Sequence, residues 1–250
     1  MYLCNVEWKI VHIDETDSTN RWITSQGDSP SVRDLTWGQS PCVVVANYQT
    51  AGRGCGTNTW ESERGKNLLF SMLIHPTDIP AHEQFRISEM VSVALCRTLQ
   101  PYLDQKVEIK WPNDIYVGDR KICGILIENR LQGSFIKDSI IGIGLNVNQR
   151  EFRSDAPNPV SLWQLLGHEV EREALLRSFL NCFEIVSSSK TLCFEYRNNL
   201  FRRGKQFVYA VGTTRFKAQL IDVEADGRLV LQDEQGERRT FAFKEVQFII

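Results

Sequence analysis

The sequence predicts an α+β fold: a mixed β-sheet packed with helices, followed by a small all-β unit. Three observations carry this reading. Up to about residue 199, short β-branched runs alternate with segments whose apolar residues recur at helical spacing. From Phe201 onward the texture changes to short alternating strands broken at Asp226–Gly227 and Gln235–Gly236. With 250 residues, 42% hydrophobic and 24% charged, the chain is long enough for one large domain and an appendage. The expected division is 1–200 and 201–250.

The elements follow in order. "VEWKIVHID" (6–14) reads as a strand, and "DSTNRWITSQ" opens a helix with Asp17 or Ser18 as N-cap. "PCVVVANYQ" (41–49) is a β-branched strand that runs into "TAGRGCGTNTW", and "NLLFSMLIHP" (67–76) is a buried strand stopped by Pro76. In 81–102, Ile87, Val91, Ala94, Leu95, Thr98 and Tyr102 stand three and four residues apart, the pattern of an amphipathic helix. "KVEIKWPNDIYVGDRKICGILIEN" (106–129) reads as strand, Pro-Asn-Asp break, strand, Gly118–Asp119 turn, strand. "SIIGIGLNVNQ" (139–149) is a strand whose alternate glycines, Gly142 and Gly144, leave one face without side chains. It is also the candidate for an exposed edge through which two copies could pair, so the chain is expected to be a monomer or a homodimer. "DAPNPVSLWQLLG" breaks the pattern, and 169–199 is mostly helical. Five or so short strands after residue 201 suit a small barrel.

Composition excludes several classes. A net charge of −2 speaks against a nucleic-acid binder that relies on bulk electrostatics. The N-terminus carries charges throughout, unlike a signal peptide, and no apolar run approaches the roughly 18 residues that span a bilayer. Seven scattered cysteines without a C-x-x-C pair fit reduced thiols in the cytoplasm better than a disulfide framework or a zinc site. Cys42, Cys96 and Cys123 read as core fillers, and the four histidines show no metal spacing.

The residues that could do chemistry gather at strand ends. Ser18, Thr19 and Asn20 offer three small hydrogen-bonding groups, which suit either a helix cap or an uncharged polar ligand. Gln49 ends a strand before the glycine loop. Within that loop Arg53 is the only cation, between Gly52 and Gly54, and Trp60 closes it. Glycine amides and a guanidinium together suit a carboxylate or phosphate, although neither the dinucleotide fingerprint nor a P-loop is matched. "KWPND" brings Lys110, Asn113 and Asp114 around Pro112, where the sheet ladder must break. Lys121 follows the hairpin turn and precedes Gly124. No Ser–His–Asp order and no H-E-x-x-H motif is present. Two or three cations, one carboxylate and a glycine loop suit the positioning of anions, as phosphoryl or nucleotidyl transfer demands.

In this order "DSTN", "YQTAGRG…W", "KWPNDIYVGDRKICGILIE" and "IGIGLNVN" closely resemble the biotin–[acetyl-CoA-carboxylase] ligases, or biotin protein ligases, from about residue 12 to the C-terminus. The resemblance implies a class II synthetase-like catalytic domain and a terminal SH3-like barrel. It implies that biotin is activated with Mg·ATP to biotinyl-5′-AMP and passed to a lysine of a biotin carboxyl carrier protein. Ser18, Thr19, Asn20 and Gln49 match the positions around the biotin rings. Gly52, Arg53, Gly54 and Cys55 match the loop that folds over the ligand, and Lys121 matches the lysine at the biotin carboxylate and α-phosphate. Trp60, Lys110, Asn113, Asp114 and Asn146 match the nucleotide and magnesium end, with Mg²⁺ near Asp114 and no protein cage for it. Gly142 and Gly144 are expected to leave room for the ligand, and Gly124 is counted with the biotin-binding positions.

Two departures stand out. Many relatives read G-R-G-R-x-G-R-x-W in the loop, where Cys55, Thr57 and Asn58 stand here. One loop cation in place of three implies weaker electrostatic retention of the adenylate. Only about 17 residues precede "STN", too few for the roughly 60-residue helix-turn-helix domain of repressor-type relatives, so no DNA-binding domain is expected. Two other readings stay open: a lipoate–protein ligase of related fold, and a non-enzymatic nucleic-acid-binding module using the Arg-Gly loop and barrel.

Overall fold

The computed structural model describes residues 7–26, 40–76, 78–154 and 156–250. The expected strand start at Val6 lies outside the described residues. The larger sheet has seven strands: β1 (Lys9–Thr16), β2 (Cys42–Gln49), β3 (Leu68–Ile74), β4 (Val107–Lys110), β5 (Asp114–Val117), β6 (Arg120–Gln132) and β7 (Phe135–Leu145). Their spatial order is β1-β2-β3-β7-β6-β5-β4. The β1–β2 pair is parallel and the other pairs are antiparallel. Among the described residues, helices α1 (Thr19–Gln26), α2 (Phe85–Leu99), α3 (Leu162–Leu166), α4 (Arg172–Ser187) and α5 (Leu192–Asn198) accompany this sheet.

Strand side chains alternate between faces, so each strand serves two layers. Val43, Val45, Phe70, Met72, Ile141 and Ile143 form one apolar cluster with residues of α2 and α4. Phe179 of α4 meets Phe70 edge to face at 5.4 Å. The opposite face of β2, β3 and β7 is covered at Cys42, Val44, Leu73 and Ile140 by Ile23 of α1. Burial raises the thiol pKa of Cys42 to about 11 and also pushes those of Cys96 and Cys123 up, consistent with inert core fillers.

The expected exposed edge at 139–149 is corrected. β7 lies inside the sheet, paired with β3 from Leu68↔Leu145 to Ile74↔Ser139 and with β6 from Cys123↔Leu145 to Gln132↔Phe135. Its near-continuous apolar run is the mark of a strand covered on both faces, and the sheet edges are β1 and β4. The segment read as pattern-breaking contains α3. Ser161 caps it through a capping box with Gln164, and Gly167 ends it at φ 78°. The helix expected over 81–102 is regular only in α2, with single 3₁₀ turns at 81–83 and 100–102.

The five remaining strands are β8 (Gln206–Val211), β9 (Thr214–Val223), β10 (Leu229–Asp233), β11 (Arg238–Phe241) and β12 (Gln247–Phe248). They form a separate antiparallel sheet in the order β11-β10-β9-β8-β12. We propose the division at 1–200 and 201–250, because the chain is pinned to β4 immediately before this sheet: Ile109 N donates to Asn199 O at 2.7 Å and Phe201 N to Ile109 O at 2.9 Å.

The two sheets meet at the Trp-Pro break. Trp111 Nε1 donates to Gly227 O at 2.8 Å, Tyr196 Oη donates to Pro112 O at 2.6 Å, and Arg197 Nε pairs with Asp222 at 2.6 Å. Gly227 has φ 91°, and a Cβ there would lie 2.5 Å from Phe85 Cδ2. Gly227→Ala therefore combines a left-handed backbone penalty with overpacking at the seam, and is expected to cost about 2 kcal/mol in urea unfolding. An unchanged midpoint would contradict the seam.

Candidate active site

Gly124 on β6 pairs directly with Gly144 on β7, and Leu126 pairs with Gly142. Along β7 the same face presents Ile140, Gly142 and Gly144 in turn. Ile140 packs with Ile23, and the next two positions have no side chain, so other groups descend onto the backbone. A Cβ at Gly144 would lie 2.5 Å from Trp60 Cε2, one at Gly124 would lie 2.8 Å from Trp60 Cζ3, and one at Gly142 would overlap Asn20 Oδ1. Asn20 and Trp60 thus lie against the bare strand face, and they and the three glycines line one cleft of ≈590 Å³.

One end of this cleft is a network of mostly uncharged polar groups. Thr19 N donates to Gln49 Oε1 at 2.8 Å, and Thr19 Oγ1 lies 3.1 Å from the same oxygen. Ser71 Oγ lies 2.6 Å from both Thr19 Oγ1 and Asn20 Oδ1. Asn20 Nδ2 donates to Glu128 Oε2 at 2.7 Å, and Arg53 pairs with Glu128 Oε1 at 3.4 Å. Ser18, Thr19, Asn20 and Ser71 are buried, so this network is a fixed surface. Asp17 accepts from Ser18 N at 2.6 Å, immediately before α1. Arg53 does not stand as an unpaired cation; Glu128 balances it.

The glycine loop is closed on itself. Gly54 N donates to Asn58 O at 2.8 Å and Trp60 N to Gly52 O at 2.9 Å, with Arg53 bridged to Thr59. Gly52 supports this closure, since a Cβ there would lie 2.6 Å from Trp60 O. It is not among the residues of the cleft wall, whereas Arg53, Gly54, Cys55 and Trp60 are.

At the other end Lys121 Nζ pairs with Asp114 Oδ1 at 2.7 Å and sits 5.7 Å from the Trp60 ring centroid. Lys110 Nζ lies over Tyr116 at 5.2 Å and over Phe248, from the second sheet, at 5.6 Å. Burial lowers the Lys110 pKa from 10.5, the charges of Lys121 and Arg202 add to that lowering, and Asp114 opposes it. Asn113 lines the same wall. A neighbouring cleft of ≈950 Å³ shares Trp60, Lys110, Asp114 and Lys121 and adds Asn146 and Phe152. There Asn146 Nδ2 donates to Val160 O at 3.1 Å, while its buried Oδ1 has no partner among the described residues.

Of the expected residues, all except Gly52 line one of the two clefts. Sequence reasoning missed Ser71 and Glu128. Ser71 had a signal: it is the one polar residue within the otherwise apolar "LLFSMLI". Glu128 is in step with Gly124 along β6, on the face that the glycines mark. Phe243, Lys244, Gln247 and Phe248 reach the cleft from the chain's far end, which no local pattern announces.

The family model for the biotin/lipoate A/B protein ligases matches residues 17–146, just over half of the chain and most of this site. The chain belongs to that family. It is 31% identical over 228 residues to the bifunctional ligase/repressor BirA of Escherichia coli, covering 87% of this chain and 67% of the relative. To BirA of Bacillus spizizenii it is 28% identical over 217 residues, covering 80% of this chain and 64% of the relative. The chain thus spans about two thirds of the length of these relatives. The biotin protein ligase of Aquifex aeolicus in complex with biotin and ATP superposes with a TM-score of 0.75 at 22% identity, covering 96% of this chain and 99% of that one. The fold is therefore that of the biotin protein ligases, a mixed sheet with helices followed by an SH3-like sheet.

The Lys110 environment has a measurable consequence within this family fold. Between its lowered folded value and 10.5 the unfolded chain holds a proton that the folded chain has released, so stability rises with pH through that window. A ¹³C NMR titration of Lys110 is expected to place its midpoint below 10.5, and Lys110→Met should remove that part of the rise. A midpoint at or above the ordinary value would contradict the burial argument.

Proposed function

We propose that the protein is a cytoplasmic biotin–[acetyl-CoA-carboxylase] ligase that activates biotin with ATP and transfers it to a lysine of a biotin carboxyl carrier protein. What carries the reading is one cleft with two chemically different ends, joined across the Trp60 ring. The polar network of Thr19, Asn20 and Gln49, held from behind by Ser71 and with Ser18 beside it, suits a neutral ureido group that both donates and accepts. Arg53, Lys110 and Lys121 suit a carboxylate and phosphates.

In the first step a biotin carboxylate oxygen forms a bond to the α-phosphorus of ATP. The α,β P–O bond breaks, and pyrophosphate leaves with that electron pair. Two anions must approach, so the cations that offset their repulsion do most of the catalysis. In this reading Lys121, its ammonium fixed by Asp114, meets the carboxylate and the α-phosphate. Lys110 and Arg53 hold the remaining charge, and the nucleotide extends into the neighbouring cleft, where Asn146 Oδ1 has an open acceptor position. Among the described residues no group of three His, Cys, Asp or Glu side chains is placed to hold a metal ion. The single carboxylate of Asp114 fits a Mg²⁺ carried by the nucleotide phosphates, which would supply further charge neutralisation. In the second step the acceptor amine attacks the anhydride carbonyl, AMP leaves, and the amine gives up its proton. The 52–60 loop and Trp60 shield the anhydride from water.

ATP–pyrophosphate exchange tests this directly. Exchange is expected with biotin and absent with lipoate or with neither acid, and Lys121→Ala should lower it by about 100-fold or more. Exchange supported by lipoate alone would move the substrate, and no exchange with either acid would overturn the reading.

A further inference from the structure

The loop over the cleft has one cation of its own, Arg53, and Glu128 takes part of that charge at 3.4 Å. A second cation reaches the loop from outside it. Gly56, at the loop tip, has φ 72°, and the space that a side chain would take there holds an ammonium: a Cβ on Gly56 would lie 2.8 Å from Lys244 Nζ. Lys244 belongs to the turn between β11 and β12 of the second sheet, and it lines the same cleft as Arg53, Lys110 and Lys121.

The turn holds this lysine in an uncommon conformation. Lys244 has φ 72°, one of three non-glycine residues in the left-handed region among those described. An L side chain there is strained and persists only where its surroundings fix it. Both ends of the turn are tied: Glu245 N donates to Ala242 O at 3.1 Å, and Ala242 N donates to the Glu245 carboxylate at 2.7 Å. Among the described residues no carboxylate pairs with Lys244; its ammonium has the loop backbone and the Phe243 ring, at 5.8 Å, for company. A glycine would satisfy this backbone better, so strain is tolerated for the side chain.

We propose that Lys244 lends the glycine loop a second positive charge from the C-terminal sheet and so retains the phosphate of the acyl-adenylate intermediate until the acceptor amine arrives. The proposal rests on the adenylation reading above. It ties closure of the loop to docking of the second sheet, because loop and lysine meet at Gly56.

The test is the release rate of radiolabelled biotinyl-adenylate from preloaded protein, followed at several salt concentrations. Lys244→Met is expected to release it roughly five- to tenfold faster and with less salt dependence than wild type, while Lys244→Arg stays within about twofold of wild type. Lys244→Gly should release as fast as Lys244→Met without lowering Tm, because glycine suits the backbone; this separates lost charge from lost folding. Release unchanged in Lys244→Met, or equally fast in Lys244→Arg, would overturn the proposal. A wild type that forms no adenylate would instead overturn the adenylation reading, and this proposal with it.

Discussion

The site depends on a steric absence in the middle of the sheet. Where β6 and β7 run side by side, Gly124 and Gly144 face each other and Gly142 follows, so the pleated surface lacks side chains over a patch about one indole wide. Trp60 rests on that patch and the Asn20 amide drops onto its end. Everything else is hung from these two contacts. Trp60 sets where the glycine loop closes, and Asn20 links Ser71 in the sheet to Glu128 and through it to Arg53. Because β7 is paired on both sides, this platform is among the least deformable parts of the fold.

Charge is organised around that platform in balanced pairs. Arg53 meets Glu128 and Lys121 meets Asp114, so each cation is held in place before any anion arrives. Both pairs are partly exposed, which keeps their mutual attraction modest and lets a bound carboxylate or phosphate compete for the cations. Lys110 is different: burial, with Lys121 and Arg202 nearby, lowers its pKa, so an incoming anion would relieve an existing penalty. The second sheet belongs to this arrangement. Phe248 covers Lys110, and Trp111 is anchored to the Gly227 carbonyl.

Much of this was legible in the sequence, for physical reasons that differ by element. β2, β3 and the β4–β6 run announce themselves because β-branched stretches end at Gly, Pro or Asn-Asp breaks. The three cations and Asp114 were legible because a charge beside a forced backbone break is rarely idle. The position of β7 was not: a two-sided apolar strand and an edge strand can share a composition, and only the partners on each side distinguish them. The glycines on β6 and β7 correctly marked a close approach, but not that the approaching groups would be Trp60 and Asn20. Ser71 was hidden inside an apolar run, and Lys244 lies nearly 190 residues from the loop tip it touches, a contact that no local pattern encodes.

The central claim is that the bare glycine face positions the ligand-binding groups. Calorimetric titration of biotin into wild type, Gly142→Ala and Gly144→Ala, without ATP, tests it most directly. A single methyl group at either site must push Asn20 or Trp60 off the sheet, so both variants are predicted to remain folded and to bind biotin at least about tenfold more weakly. Wild-type affinity in both would mean that the face is incidental and the claim is wrong.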